Sequence, residues 1–121
     1  MMNKNIHKQQ NYTLMKVVSL FIVTLLAGCS SIQVGHDFDT QAFENIAKVG
    51  KTTKAQVLDK IGSPKSTGVS LNKDGERLLE WVYFYATGKL TGMDDAQLKI
   101  LQIRFDQHGI MRSYNWSDSN K

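Results

Sequence analysis

Few side chains in this 121-residue chain have the types and spacing that catalysis or metal binding requires. The chain holds one cysteine and three histidines, which excludes an internal disulfide and a zinc site built on several cysteines. His108 could act as a general base for a serine, but no serine lies in a Gly-x-Ser-x-Gly turn. Asp94, Asp95 and Asp106 could pair in space, although such acids are usually solvated. We therefore expect a protein that is not an enzyme and that binds no metal or cofactor.

Two short segments partly match known ligand-binding loops. Gly50-Lys51-Thr52-Thr53 matches the end of a phosphate-binding loop, but that loop needs a glycine where Asn45 stands. Asn72-Lys73-Asp74-Gly75 matches part of a calcium loop, but Trp81 stands where the loop requires a bidentate glutamate. We predict that both segments are turns without a ligand.

The single cysteine, Cys29, follows an apolar run that is typical of a secretory signal peptide. The run covers residues 17–27, which is too short for a membrane span of about 20 residues, and lysines without any acid precede it. The run ends in Leu26-Ala27-Gly28-Cys29, which resembles the lipobox of bacterial lipoproteins. We predict a lipoprotein signal peptide over residues 1–28, cleavage between Gly28 and Cys29, and a lipid on the Cys29 thiol.

A lipid on Cys29 would anchor the protein in a lipid bilayer. Each buried CH₂ group adds about 0.8 kcal/mol of binding free energy, and several acyl chains together make the attachment lasting. In lipoproteins of bacteria with two membranes, a residue other than Asp after the cysteine, here Ser30, is compatible with export to the outer membrane. The lipobox resemblance therefore implies a position on the periplasmic face of the outer membrane. The net charge of +4 comes mostly from lysines of the signal peptide, so nucleic acid is not an expected partner.

The remaining chain predicts a tether, two helices and then strands. Residues 29–39 have no apolar period and predict a flexible tether. A first helix is predicted over residues 40–49, and a second begins at a capping box of Thr53 and Gln56 and ends before Gly62. We expect a weak edge strand at 65–71, stronger strands at 77–86, 97–106 and 110–116, a loop at 88–96 and a polar tail at 118–121. The domain over residues 40–117 is thus predicted to be α+β, with its helices on one face of an antiparallel sheet.

The strand predicted at residues 77–86 is apolar on both faces, which indicates a central strand or a face covered by a partner. Trp81, Tyr83 and Tyr85 alternate on one of these faces. They could be core residues or a partner surface, and we take them as candidate partner-surface residues. Addition of a partner strand at a sheet edge is an equally open alternative.

Residues 40–116 share a series of positions with a family of small lipoproteins. The most specific part is the end of the second predicted helix, Ile61-Gly62-Ser63-Pro64. The other matching residues are Gly50, Thr52, Val57, Leu58, Trp81, Tyr83, Leu101, Ile103, Phe105 and Gly109. In these residues the chain resembles the SmpA/OmlA (BamE-like) family of small outer-membrane lipoproteins. The resemblance implies two helices packed on one face of a three-stranded antiparallel sheet and a non-enzymatic role at the inner leaflet of the outer membrane. Subunits of the β-barrel assembly machine are candidate partners, although the family also includes stress-induced lipoproteins outside that machine.

These features together predict a lipid-anchored accessory or scaffold protein that faces the periplasm. It would act in outer-membrane protein assembly or envelope maintenance through protein–protein contacts. One alternative is a module that binds a lipid, such as an anionic phospholipid, or a cell-wall ligand. The other is an inhibitor of a periplasmic enzyme, since the expected fold also resembles β-lactamase-inhibitor domains.

Overall fold

The computed structural model describes residues 3–25, 31–89 and 92–120 of a chain that divides into two units, Met1–Ser30 and Ser31–Lys121. The described part of the first unit is a helix, α1 (Asn3–Leu25), which covers most of the predicted signal peptide. Within the described ranges, no helix is both long and apolar enough to cross a membrane. Gly28 and Cys29, the predicted cleavage and lipidation residues, lie outside the described residues.

The second unit is an α+β domain whose described strands form one antiparallel sheet. Its elements in chain order are β1 (Ser31–Gly35), α2 (Thr40–Ile46), α3 (Lys54–Ile61), β2 (Ser66–Leu71), β3 (Arg77–Lys89), β4 (Gly92–Phe105) and β5 (Met111–Asp118). The strand order is β1-β3-β4-β5, and β2 also pairs with β3. Because β4 occupies the other edge of β3, β1 and β2 lie end to end along one edge, opposite residues 85–89 and 77–82.

The prediction of a three-stranded sheet is wrong, because two further strands, β1 and β2, pair with β3. β1 arises from the segment that was expected to be a tether, and it pairs from Ser31 opposite Lys89 to Gly35 opposite Tyr85. β2, expected only as a weak edge strand, covers one half of the 13-residue β3 and leaves room for β1 beside the other half. The described residues therefore form three helices and five strands rather than two helices followed by three strands.

The prediction of a loop over residues 88–96 is also wrong. β3 continues to Lys89 and β4 begins at Gly92, so the two strands remain paired as far as Lys89 opposite Gly92. The residues of this segment lack an alternating apolar pattern, which is why the sequence did not predict a strand. Cross-strand pairing satisfies backbone N–H and C=O groups whatever the side chains are, so a long hairpin can extend through such a segment.

The predicted start and end of α3 are confirmed. The Thr53 hydroxyl accepts a hydrogen bond from the Gln56 backbone N–H at 3.2 Å, and the Gln56 side-chain oxygen accepts one from the Thr53 N–H at 3.0 Å. This reciprocal pair is the predicted capping box. After the helix, Gly62 has a φ of +78°, a conformation that residues with a β-carbon rarely adopt.

The helix α2 begins at Thr40 as expected but ends at Ile46 rather than at residue 49. The buried side chain of Thr52 explains the early end. Its hydroxyl donates to the Ile46 carbonyl and accepts from the Lys48 N–H at 2.8 Å. The side chain thus binds a carbonyl and an N–H that would form backbone hydrogen bonds within a longer helix. The chain between the two helices is also tied to the sheet, because the Met111 N–H donates to the Thr52 carbonyl at 2.8 Å.

The hydrophobic core lies on the face of the sheet that carries the odd-numbered residues of β3 and β4. The helices contribute Phe43 and Val57, which are fully buried. The other buried members of the cluster are Phe38, Trp81, Tyr83, Leu101, Ile103, Phe105 and Met111. The Trp81 and Phe105 rings meet edge to face with centroids 5.0 Å apart. The two helices and the sheet therefore share one core.

Candidate functional site

The predicted partner surface on β3 has to be corrected, because Trp81 and Tyr83 are core residues. Their exposed fractions are only 8% and 3%. Tyr85, the third predicted residue, is half-buried and packs against the same core. The Lys99 ammonium lies 5.8 Å from the centre of its ring. Alternation correctly placed the three aromatics on one face, but it could not decide which face of an apolar strand the helices cover.

The opposite face of the sheet, which we call the open face, carries an exposed apolar patch. Paired residues of antiparallel strands point to the same side, so Val34, Ala86 and Leu98 form one row across β1, β3 and β4. The apolar patch consists of Ile32, Val34, Phe84, Ala86, Leu98 and Ile100. Ile32, Val34 and Leu98 are 51%, 49% and 41% exposed, although a sheet covered on both faces would bury them.

The rest of the open face mixes polar residues with two further apolar ones, Val82 and the buried Leu78. Glu80 and Arg104 stand opposite each other on β3 and β4, and the Arg104 Nε donates to the Glu80 carboxylate at 2.8 Å. Gln102 and Asn115 form a neighbouring pair on β4 and β5. The exposed large apolar side chains of the open face thus lie beside β1 and the end of β3, and the ion pair of Glu80 and Arg104 lies beside β2 and the start of β3. An apolar centre next to a hydrogen-bonding margin is the usual composition of a protein interface.

A cleft of about 480 Å³ at the start of α2 is lined by one lysine, three aspartates and the neighbouring residues 38, 40 and 41. Its lysine, Lys99, donates to the Asp37 carboxylate at 2.8 Å. This hydrogen bond is the main reason why the pKa of Lys99 is raised, and Asp118 adds a smaller effect. A lysine held in its charged form by a carboxylate is not available as a base or nucleophile.

Two of the sequence candidates for acid–base chemistry, Asp106 and Asp95, are bound to other groups. Asp106 accepts hydrogen bonds from the backbone N–H groups of His108 and Ile110, at 2.9 and 3.0 Å, and so closes a turn. These bonds, chiefly the one from Ile110, lower the pKa of Asp106. Asp95 forms an ion pair with Lys89, whereas the side chain of Asp94 lies outside the described part. Among the described residues, no three His, Cys, Asp or Glu side chains are placed to hold a metal ion.

The two segments that partly match ligand loops are turns. The Asn72 side chain accepts from the N–H groups of Asp74 and Glu76 at 2.9 and 2.8 Å, which folds the turn between β2 and β3. In the other segment, the Gly50 N–H donates to the Met111 carbonyl at 2.8 Å, and the N–H groups of Lys51 and Thr52 donate to the Lys48 carbonyl at 3.0 and 2.9 Å. These bonds use the amide groups that would have to face a phosphate.

Comparison of the chain with models of known protein families gives no match, and neither the curated proteins nor the solved structures give one. The resemblance to the SmpA/OmlA family therefore stays a prediction drawn from single residues. The candidate site is therefore assigned from geometry, and it is the open face of the sheet.

β1 is the part of the site that sequence reasoning missed. Ile32 and Val34 alternate with polar residues, which is the pattern of a half-exposed strand. Two apolar positions are too few to predict a strand, and the partner residues on β3 lie 50 to 58 positions further along the chain. The strand forms because this edge of β3 is otherwise unpaired.

Proposed function

We propose that this chain is a lipid-anchored binding protein of the bacterial envelope, attached through Cys29, which binds a partner protein on its open face. It serves as an accessory or scaffold protein in outer-membrane assembly or envelope maintenance and is not an enzyme. The observation that carries this proposal is the apolar patch. Three large aliphatic side chains of the patch are 41% to 51% exposed on one face of a sheet whose other face is a closed core.

The division of the chain supports the lipid anchor. The boundary between the two units falls between Ser30 and Ser31, one residue after the lipobox cysteine. The core cluster draws all of its members from the second unit, the first being Phe38. Removal of residues 1–28 would therefore leave the core of the domain complete.

The composition of the open face favours a protein partner over a lipid headgroup. An anionic headgroup would select unpaired cations, but Arg104 on this face is neutralised by Glu80 at 2.8 Å. The paired charges instead form a polar margin beside the aliphatic residues. Such a margin can exchange hydrogen bonds with a partner protein while the patch is buried.

The experiment that tests this proposal compares two valines on the same edge of β3. Val34 lies in the patch and is 49% exposed, whereas Val69 on β2 is 57% exposed but pairs with Leu79 on the core side. A photo-crosslinking amino acid is placed at each position of the acylated protein in native membranes. We expect the residue at position 34 to give a distinct protein adduct, identified by mass spectrometry as an envelope protein, and the residue at 69 to give several-fold less.

A second substitution keeps this test independent of the probe. Leu98→Asp places a charge in the centre of the patch and should remove the adduct at position 34. Leu58→Asp is the matched control, because Leu58 on α3 is also exposed, at 45% against 41% for Leu98. Equal adducts at positions 34 and 69, adducts with lipid only, or an adduct that survives Leu98→Asp would each contradict the proposal.

A further inference from the structure

The structure assigns a membrane-facing end to the domain: we propose that the end of the sheet formed by Ser31, Lys89 and Gly92 rests on the lipid headgroups of the bilayer that holds the anchor. We call this group of residues the hairpin end. The inference rests on the proposed acylation of Cys29 and adds to it an orientation of the domain and a second contact, with lipid.

The covalent connection between the anchor and the sheet is short. β1 begins at Ser31, two residues after Cys29. Two residues span at most about 7 Å, whereas the ten residues from Cys29 to Asp39 would span up to about 36 Å as a free tether. Because residues 31–35 are paired with β3, they are not available as a free tether. Ser31 therefore stays within about 7 Å of the lipid-bearing residue however the intervening chain is arranged.

The register of β1 decides which end of the sheet faces the membrane. Ser31 pairs with Lys89, and Lys89 pairs with Gly92 across the β3–β4 hairpin. β1 therefore enters the sheet at the hairpin end. The opposite end is the turn before Arg77, and the 13 residues of β3 separate the two ends by about 40 Å.

The apolar patch lies in the half of the open face that is nearer to the anchor. The apolar patch begins at Ile32, which lies at most about 11 Å from Cys29 along the chain. The ion pair of Glu80 and Arg104 lies in the other half, towards the start of β3. The exposed aliphatic side chains of the open face therefore lie nearer to the anchor than the ion pair does, so a partner protein bound to the patch would lie beside the bilayer surface.

The test measures the distance of two matched positions from the membrane surface. Acylation converts the single cysteine of the chain into a thioether, so a newly introduced cysteine is the only free thiol. Lys89→Cys labels the hairpin end, and Lys73→Cys labels the turn between β2 and β3; both lysines are exposed. The acylated variants carry a fluorophore and are placed in phosphatidylethanolamine–phosphatidylglycerol vesicles that contain a headgroup nitroxide. We expect several-fold stronger quenching at position 89 than at position 73.

A spacer variant separates orientation from attachment. Twenty Gly/Ser residues inserted after Ser30 act as a flexible chain of about 25 Å root-mean-square length and should abolish the difference between positions 89 and 73. Equal quenching in the acylated protein without the spacer, or stronger quenching at 73, overturns the inference and leaves the proposed function standing. An unmodified Cys29 in the intact mass overturns the proposed function, and with it this inference.

Discussion

Gly35 lies so close to Phe84 that a β-carbon on Gly35 would stand 2.0 Å from the Phe84 carbonyl oxygen. Gly35 is the last residue of β1, and its φ of +80° is one that side-chain-bearing residues rarely adopt. Both the close contact and the backbone conformation therefore require glycine at this position. The attachment of β1, and with it the position of Ile32 and Val34 in the apolar patch, depends on this contact.

Gly35→Ala should release β1 from the sheet or strain it. We expect a loss of about 1–3 kcal/mol in the free energy of unfolding, measured by urea denaturation of residues 31–121. Gly68→Ala is the matched control on β2, since its added β-carbon would meet no atom within 4 Å. The control should change stability little or raise it by up to about 1 kcal/mol. Equal effects of the two substitutions would show that the contact between Gly35 and Phe84 does not affect the free energy of unfolding.

Tyr83 should make the stability of the domain fall at alkaline pH. Its hydroxyl donates to the Gly62 carbonyl at 2.8 Å, and burial raises the pKa of the phenol above its ordinary value of 10.0. The unfolded chain ionises this group near pH 10, whereas the folded chain keeps it protonated. The contribution of Tyr83 to the stability of the folded domain is therefore complete below about pH 10 and is lost as the pH rises further.

Tyr83→Phe tests this dependence. The variant should be less stable by about 1 kcal/mol near neutral pH, because the Gly62 carbonyl loses its donor. Urea denaturation at about pH 8 and about pH 11 should then show that the difference from the unsubstituted domain narrows or reverses at the higher pH. Tyr114→Phe controls for a general effect of tyrosine, and a difference that stays constant with pH would contradict the prediction.

Asp106 should contribute stability that disappears in acid. The backbone N–H groups of Ile110 and His108 hold the pKa of Asp106 below its ordinary value of 3.8. A carboxyl group with a lowered folded pKa stabilises the domain above that ordinary value, and the effect is lost as the pH falls through the folded pKa. Asp106→Asn should therefore lower the thermal midpoint at neutral pH.

The acid dependence distinguishes this effect from a simple loss of shape. The midpoint difference between Asp106→Asn and the unsubstituted domain should shrink as the pH falls from about 5 to about 2. Asp59→Asn on the exposed surface of α3 is the control and should show little difference at any pH. A difference for Asp106→Asn that is the same at both pH values would refute the electrostatic account of the turn.

The parts of the fold that local chemistry determines could be predicted from the sequence. Thr53 and Gln56 form the expected capping box, and Gly62 takes the expected positive φ. Each depends on residues within one helical turn of each other. The alternation of Trp81, Tyr83 and Tyr85 likewise predicted that these side chains share one face, which the pairing of β3 with β4 confirms.

The parts that depend on distant partners could not be predicted. β1 pairs with residues 50 to 58 positions later, and the early end of α2 depends on a hydroxyl at Thr52. The candidate site is of this kind. Val34, Ala86 and Leu98 become one row only when the long hairpin and β1 have assembled, and no local pattern joins them.

The measurement that tests the central claim most directly is the intact mass and membrane fraction of the protein produced in a two-membrane bacterium, beside Cys29→Ala. We predict that the protein has the mass of residues 29–121 plus acyl chains and sediments with the outer membrane. Cys29→Ala should lack both the acyl mass and the cleavage before residue 29. A wild-type chain that keeps residues 1–28, or that carries no added mass and behaves as Cys29→Ala does, would contradict the lipid anchor.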